Sequence, residues 1–385
     1  MSCLLSRAIP FRRQIINAIS PSTFQHQLCL QTQWFSVRYA NTNASNGKSF
    51  TVSYLIETCG FSPKEAEAAS KRVSFETREK PDLVIKFLKS QGFSQRQILR
   101  FIRRVPEFLR FDPEKTFLPK IEFFKSRGIS SSHIVAFICS CPCIMRRSLS
   151  KHLIPSFDFF QDLFQSDDKL IKALRYCSGI LLDTNKRAVP NMKLLREAGV
   201  PESNVIKLLQ FVPKTLTGNP NQFKEILEKV KEIGINPLKY QFLMAVHLYS
   251  SLSKSNLAKR AEVYKKWGWS DDDILAASRK FPLCMIASED KIDAIMEILV
   301  HKLGCDPSAI SSTYPNVLGY SLNKRIVPRS AVLQVLLSKG LTKRKTLLST
   351  FLYTEKDFLR RFVLCHGQES NALLELYRTK LDQAK

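Results

Sequence analysis

The sequence predicts an all-α solenoid built from helical repeats of about 35 residues. Three observations predict it. Glycines recur at Gly60, Gly92, Gly128, Gly199, Gly234, Gly268, Gly304 and Gly340, with gaps of 32, 36, 71, 35, 34, 36 and 36 residues. A proline stands fourteen residues after the glycine in four frames, namely Pro106, Pro142, Pro213 and Pro282. Between these marks the apolar residues fall at helical spacing, as in Leu118, Ile121 and Phe124. The double gap hides a repeat in which Phe164 takes the place of glycine, with Ser166 still 36 residues after Ser130.

Each element has a local reason. Pro119, Pro155, Pro190 and Pro328 suit the first position of a helix, where no backbone N–H bond is lost. Glycine ends that helix, because the left-handed C′ conformation costs least without a Cβ. An apolar residue and a capping residue follow: Phe93-Ser94, Ile129-Ser130, Ile235-Asn236, Trp269-Ser270, Cys305-Asp306 and Leu341-Thr342. They supply a hydrophobic staple and a side-chain acceptor for the second helix. Ser62 with Glu65 and Ser94 with Gln97 have capping-box spacing. The second helix must stop before the repeat proline, whose ring disfavours a preceding helical residue. Phe123-Phe124 and Phe159-Phe160 read as core. Two frames depart from the pattern: Leu248 stands where proline is expected, and Gly304 and Pro315 are three residues closer than usual.

The chain has 59 Lys and Arg against 34 Asp and Glu, a formal charge of +25 over 385 residues. Such an excess favours a polyanionic partner, nucleic acid before an acidic membrane surface. Only 13 glycines and six scattered histidines are present, and the phosphate-loop, zinc-protease and nucleophile-elbow motifs are missing. No enzyme activity, cofactor or small-molecule substrate is expected. No run of 18 apolar residues appears, so no membrane insertion is expected. Met1 to Ile56 holds no acid but includes Arg7, Arg12, Arg13 and Arg38, and VRYA at 37–40 has the look of a processing site. This reads as an organellar transit peptide over 1–42, disordered and addressed to the mitochondrial matrix, with the chloroplast as the alternative.

The stretch CSCPCIMRR, 139–147, tests the repeat. Its cysteines alternate, yet its siblings RRVPEFLRF, LQFVPKTLT and SRKFPLCMI carry none or one. A zinc site needs four ligands and no second cysteine pair is available, so Cys141 and Cys143 read as small apolar fillers and no metal is expected. The cations fare differently. Arg110 and Arg146 each lie four residues after their proline, and Lys115, Lys151, Lys186 and Lys324 each lie four residues before one. In-register residues of a solenoid share a face, and such a stripe can follow a nucleic-acid backbone. The pairs Arg103-Arg104, Arg146-Arg147, Lys186-Arg187 and Lys324-Arg325, with Arg329, complete the candidate nucleic-acid-binding set.

With the repeats in view, YPNVLGYSLNKRIVPRSAVLQVLLSKGL at 314–341 resembles the terminal signature of the mitochondrial transcription termination factor (mTERF) family, through Pro315, Leu318, Ser321, Leu322, Lys324, Arg325, Pro328 and Arg329. FSPKEAEAASKRVSFETREKPDLVIKFLKSQGFS at 61–94 is similar to the entry segment of plant members. The resemblance implies a left-handed superhelix with two α-helices and a short 3-10 helix per repeat. It implies a basic groove that binds nucleic acid and a role in organellar gene expression. The expected division is entry helices over 43–80, a repeat array over 81–350 and capping helices over 351–385. The expected function is double-stranded DNA binding in transcription termination or regulation, by a monomer. Binding organellar RNA for intron splicing or maturation is one alternative, and a protein-binding scaffold is another.

Overall fold

Helices joined by turns and short irregular segments make up the described structure; the computed structural model describes residues 49–383, and strands are absent among them. The expected transit peptide, with its arginines and VRYA, lies outside the described residues. The chain divides into two units, one made of 49–194 with 205–220 and the other of 195–204 with 221–383.

In the first unit, Pro63–Ser70 is started by a capping box between Ser62 and Glu65, and Gln95–Arg104 by one between Ser94 and Gln97. Leu118–Ser126 pairs with Ser131–Ser140, and Ile154–Phe164 with Asp167–Tyr176. Ser130 and Ser166 accept from the third backbone N–H of the helices they start. After each second helix comes a short 3-10 helix: Pro106–Arg110, Pro142–Arg146, Ser178–Leu181 and Pro213–Thr217. Proline suits its first position because no N–H is needed there. The interior is lined with phenylalanine: Phe101, Phe108, Phe117, Phe124, Phe157 and Phe160 are all fully buried. Phe124 meets Phe137 edge-on at 4.8 Å between centroids. Phe123 and Phe159, expected in the core, are only half-buried.

The second unit repeats the design. Lys254–Lys266 pairs with Asp271–Lys280 and the 3-10 helix Pro282–Ile286; Glu289–Met296 leads to Pro307–Ser312 and Pro315–Gly319. A third capping box joins Ser270 and Asp273. Where Leu248 replaces the expected proline, the helix Tyr240–Ser251 runs on unbroken. Helices Glu355–Phe362 and Ser370–Asp382 end the unit, the latter packed on Val327–Ser338.

Three local expectations need correction. The repeat prolines Pro119, Pro155, Pro190 and Pro328 occupy the second helical position, not the first. For three of them the turn before is a π-helix: Leu149–Leu153, Thr184–Ala188 and Leu322–Ile326. Proline offers no N–H to the carbonyl four residues back and its ring crowds that carbonyl, so the preceding residue bonds five back instead. Ile154 thus donates to Leu149, and Val189 to Thr184. Second, the left-handed position of the hidden repeat is held by Gln165, with φ +47°, while Phe164 ends its helix buried. Third, Asn236 accepts from Leu238 in a local turn rather than capping a helix, and Lys343 rather than Thr342 precedes the next 3-10 turn.

Candidate nucleic-acid interface

The Lys-x-x-x-Pro ladder gains its geometry from the turns just described. Lys115 and Lys151 are the third residues of helical turns whose caps, Asp112 and Ser148, accept their backbone N–H; Ser321 does the same for Lys324. The backbone is thereby fixed and the side chain left outward. Lys115, Lys151, Lys186 and Lys324 are all exposed, as are Arg110 and Arg146 at the ends of their 3-10 helices. Lys115 keeps 86% of its side chain accessible and has a loose ion pair with Asp112 at 3.7 Å. At that exposure the pair contributes little.

Bonds between repeats bring five of these six into one edge of the first unit. Lys120, buried just after Pro119, donates to Met145 at 2.9 Å. This holds the helix start that follows Lys115 against the 3-10 helix ending in Arg146. Arg147 pairs with Asp183 at 2.7 Å, joining the turn that bears Lys151 to the turn that bears Lys186. Asn191, buried just after Pro190, donates to Leu216 and Gly218 and fixes the Lys186 turn against the following 3-10 helix. Arg110, Lys115, Arg146, Lys151 and Lys186 therefore follow one another along the edge where first helices begin. Glu114 is exposed on the same edge, and Asp183 is held by Arg147 and, at 3.9 Å, Arg187. Lys324 occupies the equivalent place in the second unit.

The other candidates are engaged within the chain. Arg103 donates to Gly60 and Arg104 to Cys139 and Ser140. Arg187 donates to Thr217 at 3.0 Å. Arg325 and Arg329 depart furthest from expectation, with 8% and 1% exposure. Arg325 lies over the Tyr320 ring at 4.1 Å and donates to Tyr353. Arg329 donates to Thr350, Phe351 and Tyr353 and lies over Phe358 at 4.5 Å. Burial, with the Arg325 charge beside it, pushes Arg329 down to about 10. A guanidinium so enclosed cannot reach a phosphate, and both residues are withdrawn from the interface. Their sequence signature is a packing signature.

One residue was missed. Lys291 stands nine residues after Pro282, as Lys115, Lys151 and Lys324 stand after Pro106, Pro142 and Pro315. The Lys-x-x-x-Pro frame overlooked it because Ile295 replaces the second proline; counting forward from Pro282 would have found it. Ser288 caps its N–H, and burial pushes its ammonium down to about 8. Lys120, Asn191 and Arg329 share another overlooked register, each directly after its repeat proline.

The Cys139 and Cys141 thiols, and Cys177 beside them, are not poised for chemistry. Burial pushes Cys139 and Cys177 up to about 11 and Cys141 to about 12, which leaves thiols rather than thiolates. Among the described residues no group of three or more His, Cys, Asp or Glu is placed to hold a metal ion, and no helix is long and apolar enough to cross a membrane.

A family model described as mTERF matches residues 81–359, more than half of the chain. The chain belongs to the mTERF family. That family is one of helical-repeat solenoids whose members are nucleic-acid-binding factors and not enzymes. A curated relative, "Transcription termination factor MTERF8, chloroplastic" of Arabidopsis thaliana, is 23% identical over 165 residues, 43% of this chain and 33% of that protein. The chain thus matches about a third of the length of that mTERF relative.

Proposed function

We propose that this mTERF chain is an organellar gene-expression factor that grips double-stranded DNA through its exposed edge cations and terminates or regulates transcription. The observation that supports it best is the sorting of cations along the edge. Arg110, Arg146, Lys151 and Lys186 are exposed in register, and their side chains bond no acceptor among the described residues. Cations placed in a row without protein partners suit a row of phosphates. The partly matching relative is by its printed name a chloroplast transcription termination factor, which favours termination and an organelle. The basic leader favours the mitochondrion, and a fluorescent fusion of the leader imaged in plant cells decides between the two compartments. We take 81–350 as the binding array, with 43–80 and 351–385 as its ends.

The test replaces Lys115, Lys151, Lys186 and Lys324 together with Ala. Binding to unrelated duplexes should weaken alike, and the log–log salt slope should fall by about 3–4 units, near 0.9 per lost phosphate contact. An unchanged slope overturns the cation edge. Tighter binding of the wild-type chain to single-stranded or structured RNA than to duplex DNA replaces the termination reading with one of RNA maturation.

A further inference from the structure

The candidate interface contained arginine pairs that donate to carbonyls of neighbouring repeats, and these bonds follow a rule. Arg103 and Arg104 are the last two residues of their helix. Arg103 reaches backward, donating to Gly60 at 2.6 Å, at the end of the previous repeat's first helix, with its guanidinium 5.6 Å from the Phe61 ring. Arg104 reaches forward, donating to Cys139 at 3.0 Å and Ser140 at 2.7 Å, the end of the next repeat's second helix. In the other unit, Arg279 and Lys280 end their own helix and divide the task in the same way. Arg279 donates back to Ile233 at 2.6 Å, and Lys280 donates forward to Ser312 at 2.9 Å. The entry repeat supplies a further forward contact, from Arg72 to the carbonyl of Arg104 at 3.3 Å.

Every acceptor in this set lies at or just beyond a helix C-terminus. The last four carbonyls of a helix have no intrahelical partner, and the helix dipole places partial negative charge there. A cation at the end of one helix can therefore bond the bare end of a neighbour.

We infer that Arg103-Arg104 and Arg279-Lys280 are two-way stacking clamps, the first cation holding the repeat before and the second the repeat after, so that they position the exposed cations instead of touching nucleic acid. The clamp itself stands on the hydrogen bonds alone; its effect on binding rests on the function proposed above. Lys280 shows that a lysine suffices at the forward position, whereas a neutral side chain loses the charge that the helix end attracts.

The test is directional. In the full chain without nucleic acid, Arg104→Gln should speed amide exchange roughly 2–5-fold at residues 139–141, and Arg103→Gln should do so at 60–61. Arg104→Lys should restore protection, and Tm should fall by roughly 2–4 °C in each Gln variant. Binding to a random-sequence 30-base-pair duplex should weaken with an unchanged salt slope. A slope lower by about one unit per substitution, or exchange unchanged at the neighbouring repeat, overturns the clamp. If the wild-type chain shows no salt-dependent binding, the functional proposal falls while the exchange data still decide the clamp.

Discussion

Lys291 shows how one register can hold two kinds of lysine. Its counterparts Lys115, Lys151 and Lys324 are exposed, but its own ammonium is drawn inward and pushed down to about 8. The folded form then binds its proton less readily than the unfolded chain, so this residue makes stability rise with pH from about 8 to about 10.5. Lys291→Met should stabilise the chain by roughly 1 kcal/mol near neutral pH, less than full linkage because the side chain is only partly shielded, and the gain should vanish above about pH 10.5. Thermal melts of both chains at pH 7 and pH 10.5 check this; an equal difference at both values refutes it. At this scale the sequence spoke only in part. It marked which positions carry cations, but Arg110 and Arg104 look alike until a carbonyl some 35 residues away is known to lie within reach of one and not the other.

Helices and caps were far more legible, because their causes are local. Ser62 with Glu65 and Ser94 with Gln97 form the boxes that their spacing predicted, and Pro106, Pro142, Pro213 and Pro282 each end a helix and open a 3-10 turn. Two of the misses share a physical reason: a turn can absorb one residue. The π turns before Pro155, Pro190 and Pro328 do so, and so does Gln165, which bends left-handed so that Phe164 can stay in the core. A non-glycine residue in that conformation is strained by about 1 kcal/mol. Gln165→Gly should therefore raise stability by roughly 0.5–1 kcal/mol, read as a higher denaturant midpoint at constant m. A lower midpoint would show that the Gln165 side chain, which donates to Asp162, outweighs the strain.

For the molecule as a whole, stability is assembled from neighbour to neighbour. Lys120, Asn191 and Arg329 each reach from the start of one first helix into carbonyls of the segment that follows. Damage should then spread locally. Phe124→Ala, at a fully buried ring packed on Phe137 and Phe157, should cost about 3–5 kcal/mol. Hydrogen exchange should rise first in Ser131–Ser140 and Ile154–Phe164, with Val327–Ser338 still protected; uniform loss across the chain would argue for a single cooperative block.

Lys120, Asn191 and Arg329 all reach forward along the chain, and Arg329 too finds its receivers. Arg329 meets carbonyls at Thr350, Phe351 and Tyr353, a short turn that takes the receiving place. A message cut short just before Leu347 would strand an enclosed guanidinium with nothing to bond.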